Sequence, residues 1–151
     1  MKLNVGVIGG YECSEKNFKI AYQLGSLIAQ EEWVLICGGG EGVMKACCWG
    51  AFDKGGLTVG ILPTSDKKMA NPYVKICIPT GFGYARNVLI VRASDILVAV
   101  DGKYGTLSEI AFALNEGKTV IGINTWNIKG VIKVSTPQEA IKIIKRKFKE
   151  K

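Results

Sequence analysis

The sequence predicts an α/β protein, a Rossmann-like three-layer α/β/α arrangement around a mostly parallel sheet. Three observations carry the prediction. Short apolar runs alternate with helical periods from one end of the chain to the other. The runs are apolar at nearly every position rather than at every second one, as in strands buried on both faces. Glycine clusters follow several of them, where a strand would turn into a helix. At 151 residues the chain has the length of one ordinary domain, so residues 1–151 are read as a single Rossmann-like domain.

The elements follow in order. NVGVIG (4–9) is an apolar run closed by Gly9 and Gly10, and Ser14 stands as N-cap before Ile20, Leu24, Leu27 and Ile28 at helical spacing. WVLIC (33–37) ends in Gly38, Gly39 and Gly40, and a helical pattern runs from Gly42 to Gly55. LTVGIL (57–62) is a third strand, a polar loop leads to Pro72, and YVKICIP (73–79) is a fourth. A glycine turn then precedes an apolar helix from Tyr84 to Ala93. DILVAV (95–100) and TVIGI (119–123) flank one more helix. Finally Thr136, Pro137 and Glu139 combine an N-cap, proline at the first helical position and glutamate at the third, ahead of a buried stripe of Ala140, Ile141, Ile144 and Phe148.

Composition removes several function classes. Histidine is absent, which excludes Ser-His-Asp and Cys-His nucleophile systems, histidine metal sites and an imidazole base. The five cysteines, Cys13, Cys37, Cys47, Cys48 and Cys77, form no C-x-x-C pair. They read as small core residues in a reducing cytoplasm, and no metal site is expected. No run reaches the roughly 18 apolar residues of a membrane span, and the first residues lead straight into a strand without a cleavage signature. A cytoplasmic protein with no membrane partner is expected. Of the net charge of +7, five charges sit in residues 142–151, which hold six basic side chains and one acidic. That basic excess is a property of the tail and is read as a solvated face rather than a nucleic-acid site.

The helices over 42–52 and 107–114 are apolar nearly all round. A helix on one face of a sheet needs a single apolar stripe, so a second burial surface is expected: a homo-oligomer, dimer or tetramer, formed through these helices, with Trp49 as a contact.

Parallel sheets bind ligands at the carboxyl ends of their strands, and three glycine turns fall there: Gly9-Gly10, the CGGGEG stretch with Gly38, Gly39, Gly40 and Gly42, and DGKYGT over 101–106. Such turns bring backbone N–H groups and a helix dipole to an anion. Together they predict a small phosphorylated ligand. The dinucleotide pattern G-x-G-x-x-G and the P-loop pattern are both missing, which excludes ordinary NAD binding and P-loop ATP hydrolysis.

The stretch ARNVLIVRASDILVAVDGKYGTLSEIAFAL (85–114), with GGGEGVMKACCWGA upstream, resembles the Lonely Guy-like superfamily. The shared signature is an Arg-Lys pair on a helix, Ser-Asp before a strand, and P-G-G-x-G-T-x-x-E; the spacing matches without a gap from Arg86 to Glu109. The segments TVGILPTS, NPYV and GTLSEIAFAL are most similar to the short branch that includes the molybdenum cofactor carrier proteins. The resemblance implies one of two functions. The first is hydrolysis of the N-glycosidic bond of a nucleoside 5′-monophosphate, releasing base and ribose 5-phosphate. The second is noncatalytic carriage of molybdenum cofactor or a related phosphorylated ligand.

It also implies roles. Arg86 and Glu109 match the catalytic pair, Gly102, Gly105 and Thr106 the phosphate turn, and Gly39, Gly40 and Gly42 the earlier loop. No cofactor is required for the chemistry; the bound species would be a nucleoside monophosphate or molybdenum cofactor. Older descriptions of the superfamily as lysine decarboxylases find no Schiff-base lysine here. Three positions depart from the signature: Asp101 for proline, Lys103 for glycine and Asn87 for lysine. Asp101 either accepts hydrogen bonds from the ligand or ends the strand in an Asx turn, and Lys103 offsets its charge or meets the phosphate itself.

The residues admit plainer readings beside these. Thr106-x-x-Glu109 has the spacing of a capping box, Arg86 could pair with Asp95 or Glu109 on the surface, and Tyr84 and Tyr104 would be half-buried packing or base-stacking groups.

Overall fold

The computed structural model describes residues 1–149. Seven strands and five helices alternate: β1 (Asn4–Gly9), α1 (Glu15–Gln30), β2 (Val34–Cys37), α2 (Val43–Asp53), β3 (Thr58–Leu62), β4 (Ile76–Pro79), α3 (Arg86–Ala93), β5 (Ile96–Val100), α4 (Tyr104–Asn115), β6 (Val120–Ile123), β7 (Ile132–Lys133) and α5 (Pro137–Lys149). All strands pair in parallel in the order β4-β3-β2-β1-β5-β6-β7. The α/β, Rossmann-like class is thereby shown.

The continuous apolar runs divide cleanly between the two faces. Val5, Val7, Leu35, Cys37, Ile96, Val98 and Val100 pack under α1, α2 and α5. Their sequence neighbours Ile8, Val34, Ile36, Leu97 and Ala99 pack under α3 and α4. Side chains alternate across a strand, so a run with no polar member is what a sheet covered on both sides requires.

β7 is an element that the sequence reading does not contain. Its two residues, Ile132 and Lys133, pair with Ile121 and Gly122, too short a run to show periodicity. At the other edge the two-sided cover fails. Ile76 and Ile78 on β4 are nearly half exposed, at 46% and 45%.

The caps at Ser14 and Thr136 form. Ser14 Oγ accepts from the Asn17 N–H at 3.1 Å, and Thr136 Oγ1 from the Glu139 N–H at 3.2 Å, while the Glu139 carboxylate accepts from the Ser135 N–H. The capping box at Thr106 does not. α4 begins three residues earlier than that box would place it, at Tyr104, with Lys103 at its N-cap. Thr106 and Glu109 therefore lie within the helix, both buried. The segment read as one helix from Tyr84 is likewise split into a 3-10 turn over Gly83–Ala85 and α3 proper.

The second burial surface of α2 turns out to be α1. The two helix backbones meet at Gly25 and Gly50, where any Cβ would strike a carbonyl of the facing helix. Trp49, expected at an oligomer contact, stacks on Tyr73 at 5.0 Å between ring centroids, with Phe18 and Tyr22 edge-on to it. On α5, Lys145 pairs with Glu31; the last two residues of the basic tail, 150 and 151, lie outside the described residues.

Candidate functional site

Strand order reverses at β1, whose neighbours are β2 on one side and β5 on the other. Chain leaving β1 turns to one face and chain leaving β5 to the other, so their carboxyl ends open a crevice, the place where such sheets hold ligands. A cleft of about 500 Å³ lies there. Its walls are the turn after β1 (Gly9 to Glu12), Gly38 after β2, Met44 of α2, Pro63 after β3, Tyr84, Arg86 and Asn87 ahead of and on α3, and Lys103, Gly105, Thr106 and Glu109 at the start of α4.

Of the residues named from the sequence, nine line this one cleft: Gly9, Gly10, Gly38, Arg86, Asn87, Lys103, Gly105, Thr106 and Glu109. The other six surround it. Gly42 has φ +62° and faces the carbonyls of Gly10 and Tyr11, leaving no room for a side chain. The loop of Gly39, Gly40 and Gly42 thus packs closely against the turn after β1. Asp101, itself at φ 56°, accepts from its neighbour's Gly102 N–H at 2.7 Å and from Asn17 Nδ2 at 3.0 Å. The Asp101 carboxylate is thus engaged by Asn17 and by the next residue's N–H, one residue short of the N–H that an Asx turn uses. Tyr104 is exposed, its ring 5.9 Å from that of Trp126, and Trp126 Nε1 donates to the Lys103 carbonyl at 2.8 Å.

Arg86 is not a surface ion-pair residue. Its Nη1 donates to the carbonyls of Gly38 at 2.8 Å and Ile61 at 2.9 Å, spanning the ends of β2 and β3. Asp95, its other suggested partner, instead accepts from the Asn4 N–H. Glu109 is only 6% exposed. Burial raises its carboxyl to about 8, opposed by the nearby positive charge of Arg86. Burial in turn lowers the Arg86 guanidinium from its ordinary value, opposed by Glu109. Arg86 Nε and Glu109 Oε2 are buried without a partner among the described residues. Such atoms cost free energy unless water or a bound polar group meets them.

Asn87 is held by a relay: its Nδ2 donates to Ser108 Oγ at 3.1 Å, and that hydroxyl donates to the Gly105 carbonyl at 2.6 Å. The first turn of α4 is thereby tied to α3, with Lys103 and the free N–H groups of the helix start along one side of the cleft. A phosphate would find amides, a dipole and an ammonium group at that side, and a ring or sugar would find Arg86 and Glu109 at the floor.

Besides the apolar wall of Val7, Ile8 and Ile90, sequence reasoning missed four lining residues: Tyr11, Glu12, Met44 and Pro63. Tyr11 and Glu12 directly follow Gly9-Gly10, which is the signal that could have found them. Tyr84, expected to be half buried, is 89% exposed at the mouth.

Residues 2–151 match the profile of the SLOG cluster4 family. The fold superposes on the molybdenum cofactor binding protein of Rippkaea orientalis with a TM-score of 0.93 at 38% identity, covering 98% of each chain. It superposes on the Moco carrier protein of Chlamydomonas reinhardtii with a TM-score of 0.90 at 32% identity over the whole of both. In sequence it is 28% identical over 117 residues to the cytokinin riboside 5′-monophosphate phosphoribohydrolase of Mycobacterium tuberculosis, covering 72% of this chain and 63% of that enzyme. The resemblance to the Lonely Guy-like superfamily is thereby shown.

Proposed function

Because this chain belongs to the SLOG cluster4 family, we propose that its cleft binds a phosphorylated, nucleotide-like ligand and that the protein carries this ligand, molybdenum cofactor or a related pterin phosphate, without turning it over. The observation that carries the reading is the division of the cleft. Lys103 and the α4 amides stand on one side, and Arg86 and Glu109, each with an unused polar atom, lie at the floor. Similarity over the full length to a cofactor binding protein and a carrier, against partial similarity to the hydrolase, favours carriage.

Hydrolysis is the second reading, and the unpartnered Oε2 of Glu109 favours it. A carboxyl raised to about 8 is protonated at neutral pH, so its part would be that of an acid rather than a water activator. It would give its proton to the departing base as the ribosyl C–N bond breaks, and water would add at the sugar carbon and return a proton to the Glu109 carboxylate. Arg86 would hold the phosphate or the leaving base in place. The products would be free base and ribose 5-phosphate.

Incubation with AMP, GMP and CMP, assayed for free base, together with calorimetric binding of the same nucleotides and of molybdenum cofactor, tests the two. Tight cofactor binding with no base released supports carriage. Base release that vanishes in Glu109→Gln establishes hydrolysis. No binding to any of these ligands overturns both.

The reading includes a homo-oligomer, dimer or tetramer. With α2 already covered by α1, its remaining surface is supplied by Phe112 on α4, Phe52 on α2 and the open face of β4, all exposed. It also includes a cytoplasmic location, supported by five unpaired cysteines. Among the described residues no helix is long and apolar enough to cross a membrane.

A further inference from the structure

Three cysteines that the sequence scatters come together behind the cleft. Cys37 is the last residue of β2, while Cys47 and Cys48 lie on α2, and their Sγ atoms all fall within 4.8 Å of one another. All three are fully buried. Cys37 Sγ is 3.3 Å from Cys48 Sγ, and the Gly39 N–H donates to Cys37 Sγ at 3.3 Å. Met44, one helical turn before Cys47 and Cys48, lines the cleft, as does Gly38, the residue after Cys37. A thioether thus stands between solvent and the sulfur cluster.

We propose that Cys37, Cys47 and Cys48 form a three-sulfur site for a soft monovalent cation, Cu(I), entered from the cleft past Met44. A metal about 2.3 Å from each of three sulfurs in a plane holds them roughly 4 Å apart, within the spread these atoms already show. Sulfur ligands alone select soft cations. Structural Zn(II) takes four ligands, and here the chain has no histidine, the cluster includes no carboxylate, and full burial keeps out a completing water. Three-coordinate Cu(I) needs no fourth group. Each Cu–S bond replaces an S–H bond, whose proton passes to solvent. The Gly39 N–H and the positive charge of Arg86, which acts on Cys37, offset the negative charge left on the sulfurs. The site is independent of what the cleft binds.

The test is anaerobic titration of the full chain with Cu(I) against a chromogenic Cu(I) chelator such as bicinchoninate. The wild type is expected to withhold about one copper per chain, and X-ray absorption to show three sulfur neighbours near 2.3 Å. Cys37→Ala and Cys48→Ala should surrender the metal at least tenfold more readily, whereas Cys13→Ser should retain it. Circular dichroism shows which variants fold, and the wild-type competition and absorption spectrum stand without them. Loss of all copper from the wild type to stoichiometric chelator would overturn the proposal. So would wild-type retention in Cys37→Ala, fewer than three sulfur neighbours, or displacement of Cu(I) by equimolar Zn(II).

Discussion

The Arg86 guanidinium reaches the Gly38 carbonyl at 2.8 Å through the space that a side chain on Gly38 would fill. A Cβ there would collide with Arg86 Nη1 and sit 2.8 Å from Met44 Sδ. The glycine after β2 is therefore tied to an arginine 48 residues later, and the tie sets the floor of the cleft.

Gly38→Ala should push Arg86 off both carbonyls. The expected cost is about 1–3 kcal/mol of stability, the usual range for overpacking. Nucleotide affinity should fall alongside it. Thermal melts and calorimetry check both; an alanine variant that melts and binds like the wild type would show that the contact is dispensable.

Glu109 should make stability fall as pH rises. Its carboxyl stands at about 8 in the folded chain against an ordinary 4.5, so between those values the folded state holds more protons than the unfolded one. Its cost is absent below about 4.5 and complete above about 8, amounting to roughly 4–5 kcal/mol as an upper figure. Glu109→Gln, free of this titration, should gain on the wild type steadily from pH 5 to pH 9 in denaturant unfolding. Parallel curves would contradict the burial argument.

Under the hydrolytic reading, base release should decline above about pH 8 as Glu109 loses its proton. A rate that instead climbs through pH 8 would assign Glu109 the carboxylate role.

Tyr84 and Lys103 offer variants that leave the fold alone. Tyr84 is 89% exposed, so Tyr84→Ala should leave the melting temperature unchanged. If its ring stacks on the ligand, affinity should drop about tenfold, the worth of one base stacked on an aromatic ring. Lys103→Ala should weaken phosphorylated ligands more than their dephosphorylated counterparts, and the gap should shrink with added salt.

Light scattering should find a dimer or tetramer at micromolar concentration. Lysine placed at Phe112 or Ile78, both exposed, should dissociate it without unfolding the chain, and a wild-type monomer would end the proposal.

The sequence by itself determined the parallel sheet, because unbroken apolar runs alternating with helical periods fit only strands covered on both faces. It also determined where a ligand would go, since Gly9-Gly10, Gly38 and the turn before α4 each follow a strand's carboxyl end. Spacing within one helix could not say which way Glu109 points, because capping box and buried site residue share the pattern Thr-x-x-Glu. Only the tertiary structure decided that α4 starts at Tyr104 and turns Glu109 inward, that Asp101 spends its carboxylate on Gly102 and Asn17, and that Cys37 meets Cys47 and Cys48. Burial and hydrogen-bond partners come from segments tens of residues apart, and local pattern holds no information about which distant segment arrives. Neither the charge state of a carboxyl nor the company of a thiol is written in its own neighbourhood of the chain.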